Sequence, residues 1–150
     1  MGTGDREGDP VSEELRLTLA NDIPSLSRAS EAVRVFLKQC DVGSDKIFSV
    51  DLVLEELVTN IIRHAYDDDA NHEIDLTLVL EPARVVLTVE DDGLEFDLRN
   101  APPANLDGDL KSRQPGGMGI HLVREIAERV DYRRVGSKNR IEVSITLPAF

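Results

Sequence analysis

The chain has 150 residues, the size of one compact domain and enough to bury a hydrophobic core. Hydrophobic residues make up 41% and charged residues 31%, as in soluble globular proteins, which excludes a disordered protein. The formal net charge of -12 argues against binding to DNA or RNA, because a strongly acidic surface repels phosphate backbones.

The sequence shows no signal for export or membrane insertion. Residues 1–13 are rich in glycine and acidic residues, and we expect a flexible leader followed by one domain over residues 14–150. Since no apolar run approaches the roughly 20 residues of a membrane-spanning helix, we expect a cytoplasmic protein without membrane contact. The single cysteine, Cys40, has no partner for an internal disulfide and is predicted to be a buried structural thiol.

The first half of the chain predicts one strand and two helices. Strict alternation over residues 15–19 predicts a half-buried strand. Apolar residues at helical spacing over 26–37 predict a helix that Ser25 or Ser27 caps. A second helix over residues 44–66 is apolar nearly all round, so we expect it to be buried and its polar residues to have a specific role.

The second half predicts two hairpins separated by a long loop and a helix. The first hairpin covers residues 73–90, and the glycine- and proline-containing segment 91–119 has the character of a functional loop or lid. A third helix is predicted over 118–130, before a closing hairpin over 132–147 that turns at 136–139. This order predicts an α+β two-layer sandwich, in which helices cover one face of a mixed, mostly antiparallel sheet.

Glu56 and Asn60 are the first candidate site residues. They lie four residues apart on the second predicted helix, so they share a face, and a carboxylate beside an amide oxygen suits Mg²⁺. Magnesium usually takes one or two protein oxygens and completes its coordination with water and substrate phosphates. The pair therefore predicts a metal site only if a nucleotide binds beside it; otherwise these are ordinary surface residues.

Two further segments have the chemistry of nucleotide binding. Asp91 follows a predicted strand, where its carboxylate can accept a hydrogen bond from an exocyclic amine such as that of adenine, and Gly93 permits close approach of a ligand. An Asp-Gly pair is equally common in turns. The run 116–119 precedes the third helix, where backbone amides can bind phosphates or provide a mobile hinge. It lacks the Lys-Ser/Thr of a Walker A loop.

Taken in series, these segments resemble the sequence boxes of the GHKL ATPase superfamily. Residues 56–66 are similar to the N box, 91–97 to the G1 box and 116–120 to the G2 box. Within the superfamily the chain most resembles the anti-sigma factor serine/threonine kinases typified by RsbW and SpoIIAB, over about residues 13–148. Glu95 stands where gyrase-like and histidine-kinase relatives have a second glycine, which argues against those subfamilies.

The resemblance implies a Bergerat-type ATP-binding fold. Asn60 would ligate Mg²⁺, and Glu56 would be the general base for the attacking hydroxyl. Asp91 would bind the adenine amino group, and Gly93 would let the base approach. A lid over about residues 98–115 would cover the phosphates. The candidate phosphate-binding residues in and after this lid are Lys111, Arg113, Gly117, Met118 and Gly119.

Kinases of this family phosphorylate a serine or threonine of an anti-anti-sigma (STAS-domain) antagonist, alternatively sequester a sigma factor, and are often homodimers. The resemblance thus implies a protein kinase that uses ATP and Mg²⁺ in a partner-switching system. Two alternatives stay open. One is a nucleotide-gated module that sequesters a sigma factor or another regulator without appreciable phosphotransfer. The other is an ATP-binding domain that serves a separate histidine-phosphotransfer protein.

Overall fold

The computed structural model describes residues 13–97 and 119–148, which form one sheet and three helices. The strands are β1 (Glu13–Ala20), β2 (Glu73–Leu80), β3 (Arg84–Asp91), β4 (Arg129–Val135) and β5 (Lys138–Thr146). The helices are α1 (Ile23–Gln39), α2 (Ser44–His64) and α3 (Gly119–Ile126). The strand order is β1-β2-β3-β5-β4, and each neighbouring pair is antiparallel. The expected leader up to residue 12 and the expected lid lie outside the described residues.

The hydrophobic core lies between the helices and one face of the sheet. Alternate residues of the central strands are fully buried, as Leu76 and Leu78 of β2 and Leu87 of β3 show. The most buried stripe of α2 includes Leu54 and Leu57, both with no exposed surface. Each such side chain contributes about 1.5–3 kcal/mol to folding. The prediction of an α+β two-layer fold with a buried second helix is confirmed.

Two predicted helix boundaries are wrong. The N-cap of α1 is Asp22, whose Oδ1 accepts a hydrogen bond of 2.8 Å from the backbone N–H of Ser25, so the expected serine caps lie inside the helix. Helix α3 ends at Ile126 instead of residue 130. The following residues leave the helix because Arg129 and Val130 pair with β5 at the start of β4.

The thiol of Cys40 is half-buried at the C-terminal end of α1. It donates a hydrogen bond of 2.9 Å to Glu13 Oε2 and so connects this helix end to the start of β1. Burial, followed by the interaction with Glu13, raises the pKa of the thiol to about 11. The contact with Glu13 is consistent with the predicted structural role of Cys40. In the described part of the chain, no helix combines the length and apolarity needed to cross a bilayer.

Candidate functional site

The candidate site lies at the end of β3, beside the C-terminal end of α2. Asp91, the last residue of β3, is only 5% exposed. Its Oδ1 accepts hydrogen bonds from the backbone N–H of Gly93 (2.8 Å) and from Asn139 Nδ2 (3.0 Å). Among the residues that the structure describes, both hydrogen bonds to this carboxylate go to Oδ1. Its other oxygen, Oδ2, is therefore available to accept a hydrogen bond from a ligand.

Neighbouring groups shift the pKa of Asp91 in opposite directions. Burial raises the pKa of the carboxyl group, and the hydrogen bonds from Asn139 and Gly93 act in the opposite direction. The adjacent Asp92 raises the pKa further, whereas the guanidinium of Arg134 lowers it. The net effect is a raised pKa, and the surrounding donors favour the ionised form against the larger effect of burial.

Gly93 is required by packing against the end of α2. A Cβ atom added there would lie 2.5 Å from both the Cβ and the carbonyl oxygen of Ala65. The next residue, Leu94, donates a backbone hydrogen bond of 2.7 Å to the same carbonyl oxygen. Gly93 therefore lets the chain after β3 pass close to α2, and its role in admitting a ligand stays a prediction.

Asn60 reaches the same place from α2. It is 7% exposed, and its Nδ2 donates a hydrogen bond of 2.7 Å to the backbone carbonyl oxygen of Glu56. Because the amide nitrogen is held in this way, the side-chain oxygen is the group left to accept or to coordinate. The structure therefore presents a hard oxygen donor from a buried, oriented amide.

A narrow cavity joins Asn60 to Asp91. Its volume is about 20 Å³, enough for one water molecule and too small for a purine ring. Phe96, which is 38% exposed, forms one wall, so binding of a base requires the cavity to widen. The lining residues are Asn60, Ile61, Ala65, Asp91, Phe96, Tyr132, Asn139 and Ile141.

Glu56 faces a different recess from Asn60, although both lie on α2. It lines a polar groove of about 430 Å³ between α1 and α2, together with Ser30, Arg34 and Arg63. Its Oε2 is buried and has no hydrogen-bond partner within ranges 13–97 and 119–148. Burial, then the neighbouring Glu55, raises the pKa of Glu56, whereas Arg63 lowers it. A buried, unpaired carboxylate with a raised pKa is typical of a general base.

Asn139 is a site residue that sequence reasoning missed, because it was assigned to a turn. The turn holds only Gly136 and Ser137, and Asn139 lies within β5, opposite Asp91. It is 5% exposed and follows the alternation of inward residues in this strand. Extending the pattern of Ile141 and Val143 backwards by two residues predicts its inward position.

His72 is a second residue that the sequence analysis left out. Its ring stacks on Tyr66 at a centroid distance of 4.0 Å and an interplanar angle of 11°. Its Nε2 lies 2.8 Å from Asp68 Oδ1, and its Nδ1 lies 3.2 Å from Asp92 Oδ1. The imidazole thus connects the loop after α2 to the end of β3. No periodicity marks it, because both of its partners lie in irregular segments.

The remaining sequence-predicted candidates lie at the start of α3 or outside the described residues. Gly119 is the first residue of α3. The others lie outside the described residues, namely Lys111, Arg113, Gly117 and Met118. Across the described ranges, no group of three or more His, Cys, Asp or Glu side chains is arranged to hold a metal ion. A metal at Asn60 would accordingly need ligands from a bound molecule.

The sequence and fold were compared with those of known proteins. The histidine kinase-like ATPase domain matches residues 19–145. An anti-sigma F factor of Geobacillus stearothermophilus is 32% identical over 120 residues, which cover 80% of this chain and 82% of the relative. The serine/threonine-protein kinase BtrW of Bordetella bronchiseptica is 30% identical over 97 residues, covering 65% and 68%.

A solved structure shares the fold. The RsbU and RsbW domains of Rv1364c from Mycobacterium tuberculosis superpose with a TM-score of 0.63 at 15% identity, over 91% of this chain and 33% of that one. The family match covers most of the chain, and the relative that is 32% identical covers 80% of it. The chain belongs to the histidine kinase-like (GHKL) ATPase family, in the group that contains the anti-sigma factor kinases.

Proposed function

We propose that the protein is a serine/threonine protein kinase that uses Mg-ATP to phosphorylate a STAS-domain antagonist in a partner-switching system. One observation carries the proposal: a buried amide on α2, Asn60, and a buried carboxylate on β3, Asp91, border a single cavity. Family membership makes ATP the nucleotide, and the names of two groups of relatives, anti-sigma F factors and a serine/threonine kinase, support the activity.

The nucleotide would be held at both ends of this cavity. Asp91 Oδ2 would accept a hydrogen bond from the adenine amino group, and the Asn60 side-chain oxygen would bind Mg²⁺ together with phosphate oxygens. The metal ion supplies charge neutralisation on the phosphates. The residues proposed to bind the phosphates are the sequence-predicted Lys111, Arg113, Gly117, Met118 and Gly119.

Glu56 would act on the protein substrate. Its carboxylate takes the proton of the acceptor hydroxyl while that oxygen bonds to the γ-phosphorus and the bond to the bridging oxygen of ADP breaks. Oε2 is buried and has no hydrogen-bond partner among the described residues, so exposing it to the hydroxyl would break no hydrogen bond to these residues. The acceptor segment would approach through the groove between α1 and α2, which Glu56 lines, and the γ-phosphate would have to extend from the cavity beside Asn60 toward this groove.

The protein partners would be the antagonist and a sigma factor, bound alternately, with the kinase as a homodimer. The relatives named anti-sigma F factor support a sigma factor as one partner. Their name also favours the second candidate, in which the nucleotide only gates the capture of a sigma factor. The two candidates differ in one property, the transfer of phosphate.

Transfer is tested by incubating the purified protein with Mg-[γ-³²P]ATP and each STAS-domain protein encoded near its gene. Acid-stable label on a partner serine or threonine, absent with Asn60→Ala, supports the kinase. Nucleotide binding without label supports the sequestering module. Acid-labile label would instead indicate a phosphohistidine partner, and absence of ATP binding would contradict both proposals.

A further inference from the structure

Asn139 connects Asp91 to the segment that follows β3. Its Nδ2 donates to Asp91 Oδ1 (3.0 Å) and to the backbone carbonyl oxygen of Leu94 (2.8 Å). We propose that Asn139 is a positioning residue that keeps Asp91 a hydrogen-bond acceptor and thereby makes the site prefer adenine over a 6-oxopurine. This inference deepens the proposed function and rests on its nucleotide site.

The orientation of the Asn139 amide is determined by its surroundings. Its Oδ1 accepts three hydrogen bonds: from Tyr132 Oη (2.5 Å), from Arg134 Nη1 (3.1 Å) and from the backbone N–H of Phe96 (3.3 Å). Rotating the amide by 180° would turn its NH₂ group toward three donors and its oxygen toward two acceptors. Only the observed orientation satisfies every group, so a donor always faces Asp91.

The Asn139 donor favours the ionised form of Asp91. Burial raises the pKa of its carboxyl group, and Asn139 provides the largest opposing effect. The other charged or titratable groups around it are Asp92 on the same strand end, Arg134 from β4 and the Tyr66 hydroxyl from the end of α2. Of these, Arg134 favours the ionised form, but its Nη1 also donates to the carbonyl oxygen of Gly93. Asn139 supplies the side-chain donor in direct contact.

The protonation state of Asp91 determines which purine fits. An ionised carboxylate only accepts hydrogen bonds, so it matches the 6-amino group of adenine and repels the 6-oxo group of hypoxanthine or guanine. A protonated carboxylic acid can donate to a 6-oxo group. Losing the Asn139 donor would therefore weaken the binding of the adenine nucleotide much more than that of the 6-oxo analogue.

The test uses two variants that are isosteric with each other, Asn139→Val and Asn139→Thr. Both remove the amide, and only threonine keeps a side-chain donor. The measured quantity is the ratio of the dissociation constants for IDP and ADP, obtained by calorimetry in the presence of Mg²⁺. We expect the ratio to fall roughly tenfold or more in Asn139→Val and to recover most of the way in Asn139→Thr. Arg133→Ala, an exposed change in the same hairpin, should leave it unchanged.

The outcomes separate the inference from the proposed function. If the wild-type protein binds neither nucleotide, the proposed function fails. If it prefers ADP and Asn139→Val keeps that preference, or weakens both nucleotides equally, the positioning role of Asn139 is overturned and a purely structural role remains. Thermal unfolding shows whether each variant is folded. If Asn139→Val is not, Asn139→Asp takes its place, because it keeps the shape of the side chain and removes the donor, and the proposal requires the same fall in the ratio.

Discussion

Asn60 donates a hydrogen bond of 2.7 Å from its side chain to the backbone carbonyl oxygen of Glu56, one helical turn earlier. This bond leaves the Asn60 oxygen for the proposed metal ligation, so we expect Asn60→Ala to lower the Mg²⁺-dependent affinity for ADP on the order of tenfold or more. Calorimetric titrations with Mg²⁺ and with EDTA measure the effect. Asn71→Ala, the same change at an exposed loop position, is the control. Equal affinities of the wild type and Asn60→Ala in Mg²⁺ would contradict the metal role.

Glu56 and its neighbour Glu55 provide a matched pair for the general base. Both line the groove between α1 and α2, but Oε2 of Glu56 is buried without a hydrogen-bond partner among the described residues, whereas Glu55 is exposed. Glu56→Gln is expected to reduce phosphotransfer by about 10²–10⁴-fold with little change in ADP affinity, since the amide cannot accept the proton. Glu55→Gln removes the same charge and should retain transfer within a few-fold. The rate of labelling under single-turnover conditions checks both, and similar rates in the two variants would rule out the assigned base.

Gly93 and Gly136 should respond differently to alanine. In Gly93→Ala the new Cβ would lie 2.5 Å from atoms of Ala65, so we expect a loss of about 1–3 kcal/mol of unfolding free energy together with weaker nucleotide binding. Gly136 has a φ of 61° and open space around it, so alanine there costs about 1 kcal/mol of backbone strain and leaves nucleotide affinity unchanged. Urea denaturation and ADP titration measure both quantities. A Gly93→Ala protein as stable as the wild type would show that the α2 contact is not tight.

His72 makes stability depend on pH. Its hydrogen bond to Asp68, followed by the charges of Asp68 and Asp92, raises its pKa above 6.5. A raised pKa in the folded state means that the contribution is fully present below about pH 6.5 and is lost as the pH rises through the folded value. The stability difference between the wild type and His72→Gln should therefore be larger near pH 5.5 than near pH 8.5, where the loss of stacking on Tyr66 remains. Thermal unfolding at both pH values tests this.

The control for this pH effect is His121→Gln. His121 is 72% exposed and forms one surface pair with Glu125, so its replacement should produce no comparable change. A stability difference for His72→Gln that is the same at both pH values would show that the ring stacks on Tyr66 without contributing through its charge.

Local periodicity predicted most of the fold. Errors occurred where contacts between residues distant in sequence determine where an element begins or ends. The alternation of β2 and β3 and the apolar surface of α2 are properties of short segments, so their positions were predicted closely. The end of α3 was not, because Arg129 and Val130 join β4 through pairing with β5. The apolar residues keep helical spacing past Ile126, and it is the pairing of β4 with β5 that ends the helix.

In the candidate site, too, local sequence identified some residues, whereas others depend on contacts between segments that are distant in sequence. Asn60 and Asp91 were identified from local sequence, and the fold brings them to one cavity. Asn139 was assigned to a turn because Gly136 and Ser137 precede it, and its role depends on β5 lying beside β3. The packing of Gly93 against Ala65 could not be predicted either, because this contact joins two segments that are separate in sequence.

The strand order has a consequence for how the chain is made. Because β5 lies between β3 and β4, the edge of β3 stays unpaired until the ribosome has synthesised the last strand, and β4 has no place in the sheet before then. Asp91 would emerge without Asn139, the donor that faces it. The nascent chain would therefore present an unpaired sheet edge until β5 has been synthesised, and the contact between Asp91 and Asn139 would form only then.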